Sequence, residues 1–386
     1  MAGVPGPVKG LSLVSLFNDF ASDMVYPLLP AFVVGTLGGG ALALGALDGA
    51  ADLTSAAIKV VSGRLADRPG WRRPLILAGY ATAVLVRPLI SVASAAWQVV
   101  GFRVVDRVGK GIRTPPRDAL IAEVTPIELR GRAFGFHRGA DHFGAVLGSL
   151  AAWYFLVRGS DVRDVIAWSA APGLFAFVVL AVVLRNAPRA PVAAPAARTD
   201  AAGRVFWVPV AVLATLAFFR LPETLLILRL QDRGVPVATV PLVWAGLHVV
   251  RSASSYPGGW LSDRLGPANA IAAGGALFAG VAAALALELT ASLAIAAFLA
   301  LGLVAGLTEA AERVVVARLA PRRTGRGFGS YHAVTGVMAL PAGLLFGAAY
   351  QEWGGSRALA GSAIGMLLAA AIWLAVAPRR TGEESQ

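Results

Sequence analysis

The sequence predicts an all-α membrane protein in which twelve transmembrane helices form two pseudo-symmetric six-helix bundles. Three observations predict it. The 386-residue chain is 57% hydrophobic and only 15% charged, whereas soluble domains are nearer half apolar and a quarter charged. With a mean hydropathy of +0.68, it carries more apolar surface than one globular core can hide. Twelve apolar runs each approach the roughly 20 residues needed to cross a hydrocarbon layer about 30 Å thick. Short echoes also relate the first half of the chain to the second.

The runs fall near 10–36, 41–63, 73–93, 96–122, 131–157, 164–185, 204–229, 237–261, 268–288, 291–318, 326–350 and 357–377. Backbone in lipid must satisfy its own polar groups, so each run is expected to be helical. The first contains Asn18, Asp19 and Asp23 and is too long for a secretory apolar core, so it reads as a membrane helix rather than a cleaved signal. Basic residues in the connections sort by side. Lys9, Arg64, Arg68, Arg72, Arg73, Arg130, Arg132, Arg185, Arg189, Arg198, Arg204, Arg264, Arg322, Arg323, Arg326, Arg379 and Arg380 share one side, and the other has only Arg158, Arg163, Arg233 and Arg357. The richer side is expected to be cytoplasmic, with both termini there, in a bacterial cytoplasmic (inner) membrane. This periodic placement accounts for the net charge of +12 without a nucleic-acid partner. The expected partners are the lipid bilayer and a small-molecule substrate, and the expected functional unit is a monomer.

The stretch 186–203, rich in Ala, Pro and Arg, is the longest polar connection. It divides the chain into an N-terminal bundle (1–187), a linker (188–203) and a C-terminal bundle (204–386). GRLADRPG at 63–70 is echoed by GWLSDRLG at 259–266, GRAFG at 131–135 by GRGFG at 325–329, and RDALIAEVTP at 117–126 by RVVVARLAP at 313–321. The near-constant offset implies duplicated bundles, with a solute held between them near midplane.

A charge at bilayer depth costs at least about 2.5–3.5 kcal/mol on insertion scales, so each one is a functional hypothesis. On helix one, Asp19, Asp23 and Tyr26 share a face, and Pro27 is expected to loosen the helix. Asp19 and Asp23 are candidates for proton coupling, with a structural ion pair to helix four as the alternative. Asp48, Asp52, Ser55 and Lys59 form a stripe on helix two that reads as mainly structural. Helix four is the most charged: Arg103, Asp106, Arg107, Lys110, Arg113, Thr114 and Arg117 follow one side. Arg107, Lys110 and Arg113 are candidates for the substrate cavity, and Pro115–Pro116 is expected to break the helix. GKGIRT within it lacks the spacing and preceding strand of a phosphate loop. Helix five offers His137, Arg138, Asp141 and His142 on one face. His137 is expected at the interface, Arg138 in the cavity, and the deeper Asp141 in proton coupling. In the second half, Arg220, Glu223, Glu309 and Glu312 are cavity candidates. Glu309 is spaced to pair with Arg313, leaving Glu312 to face the cavity or Arg220. Trp207, Phe218, Phe219, Trp244 and Tyr256 offer aromatic surface to a substrate or to lipid and packed helices.

Cysteine is absent and there are four histidines, so no metal site is expected. No nucleophile–base–orienter set is present, so neither catalysis nor a cofactor is expected, with protons as the coupling ion.

Gly63, Leu65, Ala66, Asp67, Arg68, Gly70 and Arg72 resemble the loop signature between helices two and three of the major facilitator superfamily, with Trp71 where a basic residue is usual. Gly259, Leu261, Asp263, Arg264 and Gly266 resemble its second copy. The resemblance implies a gating latch at Gly63, Asp67, Arg68, Gly70, Asp263 and Arg264, which ties helix ends together in the outward-open state. Arg103 resembles the helix-four arginine that the family links to proton transfer. Gly144 and Gly148 stand at the interval of the helix-five motif of bacterial twelve-helix drug:proton antiporters, with Ser149 in place of its proline. The resemblance implies a secondary active transporter working by alternating access, with proton-coupled efflux of small amphipathic compounds as the leading expectation. The cationic stripe of helix four supports the alternative, transport of an anionic metabolite or of a metal chelate such as a siderophore.

Overall fold

The computed structural model describes residues 5–66, 68, 70–126, 130–186, 204–319 and 324–377. Twelve spanning helices follow in chain order. α1 is Gly6–Val25, continued by a 3-10 turn at Tyr26–Leu28 and a π turn at Ala31–Thr36. α2 is Ala41–Ala66, α3 is Arg72–Val86 with a 3-10 extension at Pro88–Val92, α4 is Ala96–Glu123 and α5 is Arg130–Val157. α6 joins Val162–Trp168 to Ala170–Asn186, and α7 joins Arg204–Phe219 to Glu223–Asp232. α8 is Val240–Leu265, α9 is Pro267–Ala286, and α10 joins Ala291–Leu299 to Leu301–Leu319. α11 is Thr324–Trp353 and α12 is Gly355–Val376. The linker at 188–203 lies outside the described residues.

Among the described residues, nine of these helices are long and apolar enough to cross a membrane by length and composition. The other three, α1, α4 and α8, carry intramembrane charges or an interrupting proline, so their polarity lowers the very signal that identifies a span. Large apolar side chains cover the outside of the bundle, including Tyr256 at 86% exposure and Val205 at 80%. So much contiguous apolar surface suits a lipid solvent and not water.

The helix loosens at Pro27, as the sequence predicts: the end of α1 passes into 3-10 geometry there and into a π turn after Pro30. Pro115 and Pro116 do not break α4, which runs through both. Pro115 has no N–H to give to the Gly111 carbonyl, but Ser62 of α2 donates its hydroxyl to that oxygen at 2.7 Å. A neighbouring helix supplies the missing bond, and the helix continues. Ser62→Ala is expected to lower stability by about 1–3 kcal/mol through a buried unsatisfied carbonyl, read as a lower melting temperature in detergent.

α1–α6 pack on one another and so do α7–α12, with α2 against α11 and α5 against α8 across the divide. Glycines set these approaches. A Cβ at Gly144 or Gly148 of α5 would overlap the Leu16 or Phe20 carbonyl of α1, which gives the spacing of this pair a packing cause. On α2, Gly45 and Gly49 meet Gly343, Leu340 and Gly347 of α11, and Gly40 meets Gln351. These contacts lie at the end of the bundle far from the termini, the far end. Gly70 and Gly266, the matching residues of the two loop copies, have φ of 81° and 83°, a left-handed turn that favours glycine.

Candidate functional site

A cavity of about 640 Å³ lies between the halves, lined by α1, α2, α4, α5 and Arg87 at the end of α3 on one side and by α7, α8 and α11 on the other. Its wall holds many of the polar groups singled out from the sequence: Asp19, Asp23, Tyr26, Arg103, Arg107, Lys110, Arg113, Arg138, Asp141, Arg220 and Glu223. Glu309 and Glu312 do not line it, contrary to expectation. Glu309 faces Arg313 at 3.6 Å, while Glu312 takes a bond from the Tyr331 hydroxyl at 2.6 Å and lies 3.7 Å from Arg220. The Glu309–Arg313 pair is the one that the i, i+4 spacing offers, and Glu312 takes the Arg220 alternative rather than the cavity.

Helix packing sorts the charges into structural pairs and cavity-facing groups. Asp106 points away from the void and is buried with Arg87 at 3.0 Å and Arg103 at 3.5 Å. Arg87 also donates to the Asn18 carbonyl at 3.0 Å. Sequence reasoning passed over Arg87. Its signal is an arginine in the otherwise apolar run of α3, immediately before Pro88. Arg103 lies 4.8 Å over the Tyr26 ring, and Arg113 lies 4.6 Å over Tyr80 while donating to the Gly79 carbonyl. His137, expected at the interface, is buried between α5 and the first turns of α1, with Nδ1 3.4 Å from the Ser12 hydroxyl. Arg138 lies 3.6 Å from Asp141, and Arg251 pairs with Glu223.

The stripe on α2 faces the cavity and is not mainly structural. Asp48, Asp52 and Lys59 all line the void. Asp48 accepts hydrogen bonds from the Tyr26 hydroxyl at 3.1 Å, and from the Thr224 hydroxyl at 2.8 Å and backbone N–H at 3.2 Å. Thr224 is the second residue of the Glu223–Asp232 segment of α7, so a first-half carboxylate sits at a helix N-terminus of the second half, where its charge is favoured. Asp23 is held the same way. Trp244 of α8 donates its indole N–H at 2.9 Å, and His248 lies 3.8 Å away. Asp19, by contrast, takes its bond from Asn18 within its own helix at 2.9 Å.

Of the aromatic candidates, Trp244 lines the cavity and packs against Tyr26 with centroids 5.1 Å apart. Phe218 and Phe219 pack against Phe346, while Trp207 and Tyr256 face outward. Of the latch residues, Asp67 and the side chain of Asp263 lie outside the described residues. Arg68 and Gly70 form the turn between α2 and α3, Gly63 lies in the last turns of α2, and Arg264 stacks 4.0 Å over Trp260.

A family model described as Major Facilitator Superfamily matches residues 11–339. An uncharacterized MFS-type transporter of Methanocaldococcus jannaschii is 26% identical over 87% of this chain and 86% of its own length. An uncharacterized protein of Mycobacterium tuberculosis is 27% identical over 89% and 85%. The multidrug resistance protein MdtH of Edwardsiella ictaluri is 30% identical over 34% of this chain and 33% of its own. Among solved structures, a bacterial homolog of the human lysosomal transporter Spinster, inward-facing and unoccupied, superposes with a TM-score of 0.75 over 96% of both chains at 18% identity. A POT family transporter in complex with 5-aminolevulinic acid superposes with a TM-score of 0.81 over 96% of both at 10% identity. At those identities the likeness is one of fold.

Proposed function

The chain belongs to the Major Facilitator Superfamily of membrane transporters, and from that premise we propose that it exports small amphipathic molecules across a bacterial cytoplasmic membrane in exchange for protons. The observation that carries this reading is that Asp23 and Asp48, both of the first half, accept hydrogen bonds from Trp244 and Thr224 of the second. A hydrogen bond to a carboxylate is roughly twice as strong as one to a neutral acceptor. Deprotonated Asp23 and Asp48 therefore hold the halves together at the far end, and protonation weakens both ties. Proton binding thus biases the equilibrium between a far-end-closed and a far-end-open state, which is the coupling an antiporter requires.

The charge asymmetry of the loops makes the terminal end cytoplasmic. With the far end closed, the cavity then faces the cytoplasm, from which an exporter loads. The partial similarity to MdtH supports export. Asp19 and Asp141 line the same cavity within the first half and supply further proton sites.

The test is proton release from proteoliposomes on addition of a panel of fluorescent cationic and anionic amphiphiles. Asp23→Asn and Asp48→Asn are expected to abolish substrate-linked proton movement while downhill exchange persists. Unchanged coupling in both variants and in Asp19→Asn would remove these carboxylates from the mechanism.

A further inference from the structure

We propose that Lys59, Arg107 and Lys110 form a binding subsite for a doubly charged oxyanion, a phosphate ester or a pair of carboxylates, on the transported molecule. The inference rests on reading this cavity as the transport site. The wall's other cations are engaged: Arg87 and Arg103 with Asp106, Arg113 with Gly79 and Asn18, Arg138 with Asp141, Arg220 with Glu312, and Arg251 with Glu223.

Lys59, Arg107 and Lys110 differ. All three face the void, they act electrostatically on one another, and among the described residues none has a carboxylate within 4.0 Å. The Arg107 Nε is buried with no hydrogen-bond partner. Acidic groups surround the trio at longer range. Asp52 and Asp118 face Lys59, Asp19 faces Lys110, and Asp48, Asp52 and Asp106 face Arg107. Asp19, Asp48, Asp106 and Asp118 already bind other donors. Asp52 is shared between Lys59 and Arg107, so the three cations meet their acidic neighbours at longer range and not in contact pairs.

Like charges gathered in a low-dielectric void repel strongly, and a dianion relieves that repulsion. The guanidinium fork engages two oxygens of one group, and the two ammonium groups act as point charges around it. A dianion offsets more of that mutual repulsion than a monoanion does.

The test uses the purified full chain in detergent, titrated with inorganic phosphate, glycerol phosphate, succinate and acetate, and read by melting temperature. Glycerol phosphate or succinate is expected to stabilise the protein and acetate is not; which of the two dianions acts identifies the source of the charge. Lys110→Gln and Arg107→Gln are each expected to weaken the apparent affinity by about tenfold or more. Asp52→Asn is expected to strengthen it, a change of sign that general unfolding cannot produce. Equal responses of all four proteins, or stabilisation by no dianion, overturns the subsite. Proton-linked flux of cationic amphiphiles with no dianion binding sinks this inference and leaves the transporter reading standing. Dianion binding that depends on the trio, without proton-linked flux of any probe, does the reverse.

Discussion

Gly45→Val is expected to abolish transport and to hold the far end of the bundle open. A Cβ at Gly45 would overlap the Gly343 carbonyl of α11, and the reciprocal substitution at Gly343 would overlap the carbonyl of Gly45. Both obstacles are backbone atoms of long helices, which no rotamer change can move. The two helices must separate, and they form the seam by which the halves close. Overpacking costs about 1–3 kcal/mol, which shifts a two-state equilibrium about 5- to 150-fold. The variant should therefore fold and insert while populating the closed state poorly. The chain contains no cysteine, so spin labels at Leu42→Cys and Trp353→Cys report the far-end separation without background. A distance distribution unchanged by Gly45→Val would show that this seam does not control closure.

Asp106→Asn is expected to be the most destabilising single change in the first half, at about 3–5 kcal/mol. Asp106 is 2% exposed and its partners Arg87 and Arg103 are 4% and 3% exposed. Removing the shared carboxylate leaves two buried guanidinium groups without a counter-charge, although the asparagine keeps the shape. The loss should appear as a lower melting temperature in detergent and lower membrane yield. Arg87→Met combined with Asp106→Asn should recover part of it, because the remaining Arg103 also lines the cavity and lies over Tyr26. An unchanged melting temperature for Asp106→Asn would mean that this trio does not organise the packing of α3 against α4.

The spanning helices and the internal repeat were legible because they rest on local properties. Hydropathy over 20 residues and the recurrence of a loop motif need no knowledge of neighbours. The cavity-facing stripes of α1 and α4 were legible for the same reason, since Asp19, Asp23 and Tyr26 share a face at any helix orientation. The partner of each charge was not legible. Asp106 and Arg107 are adjacent in one stripe, yet one is locked in a buried trio and the other faces the void. Asp48 and Asp52 read as a structural stripe, yet one reaches Thr224, 176 residues away, and the other lines the cavity with no ion pair among the described residues. Glu309 and Glu312 do not line the cavity, but they meet Arg313 and Arg220, the partners that the sequence offered as alternatives. Pro115 read as a break and is rescued by Ser62 from another helix.

By itself, then, the sequence determined a twelve-helix duplicated membrane bundle with charges concentrated in its first half, because membrane insertion and helical periodicity are set by residues near one another in the chain. The tertiary structure decided which charges are counter-ions, which tie one half to the other and which face the cavity. Those outcomes depend on the rotation and close approach of helices distant in sequence, set here by glycine contacts between backbones, and a one-dimensional pattern does not carry that information.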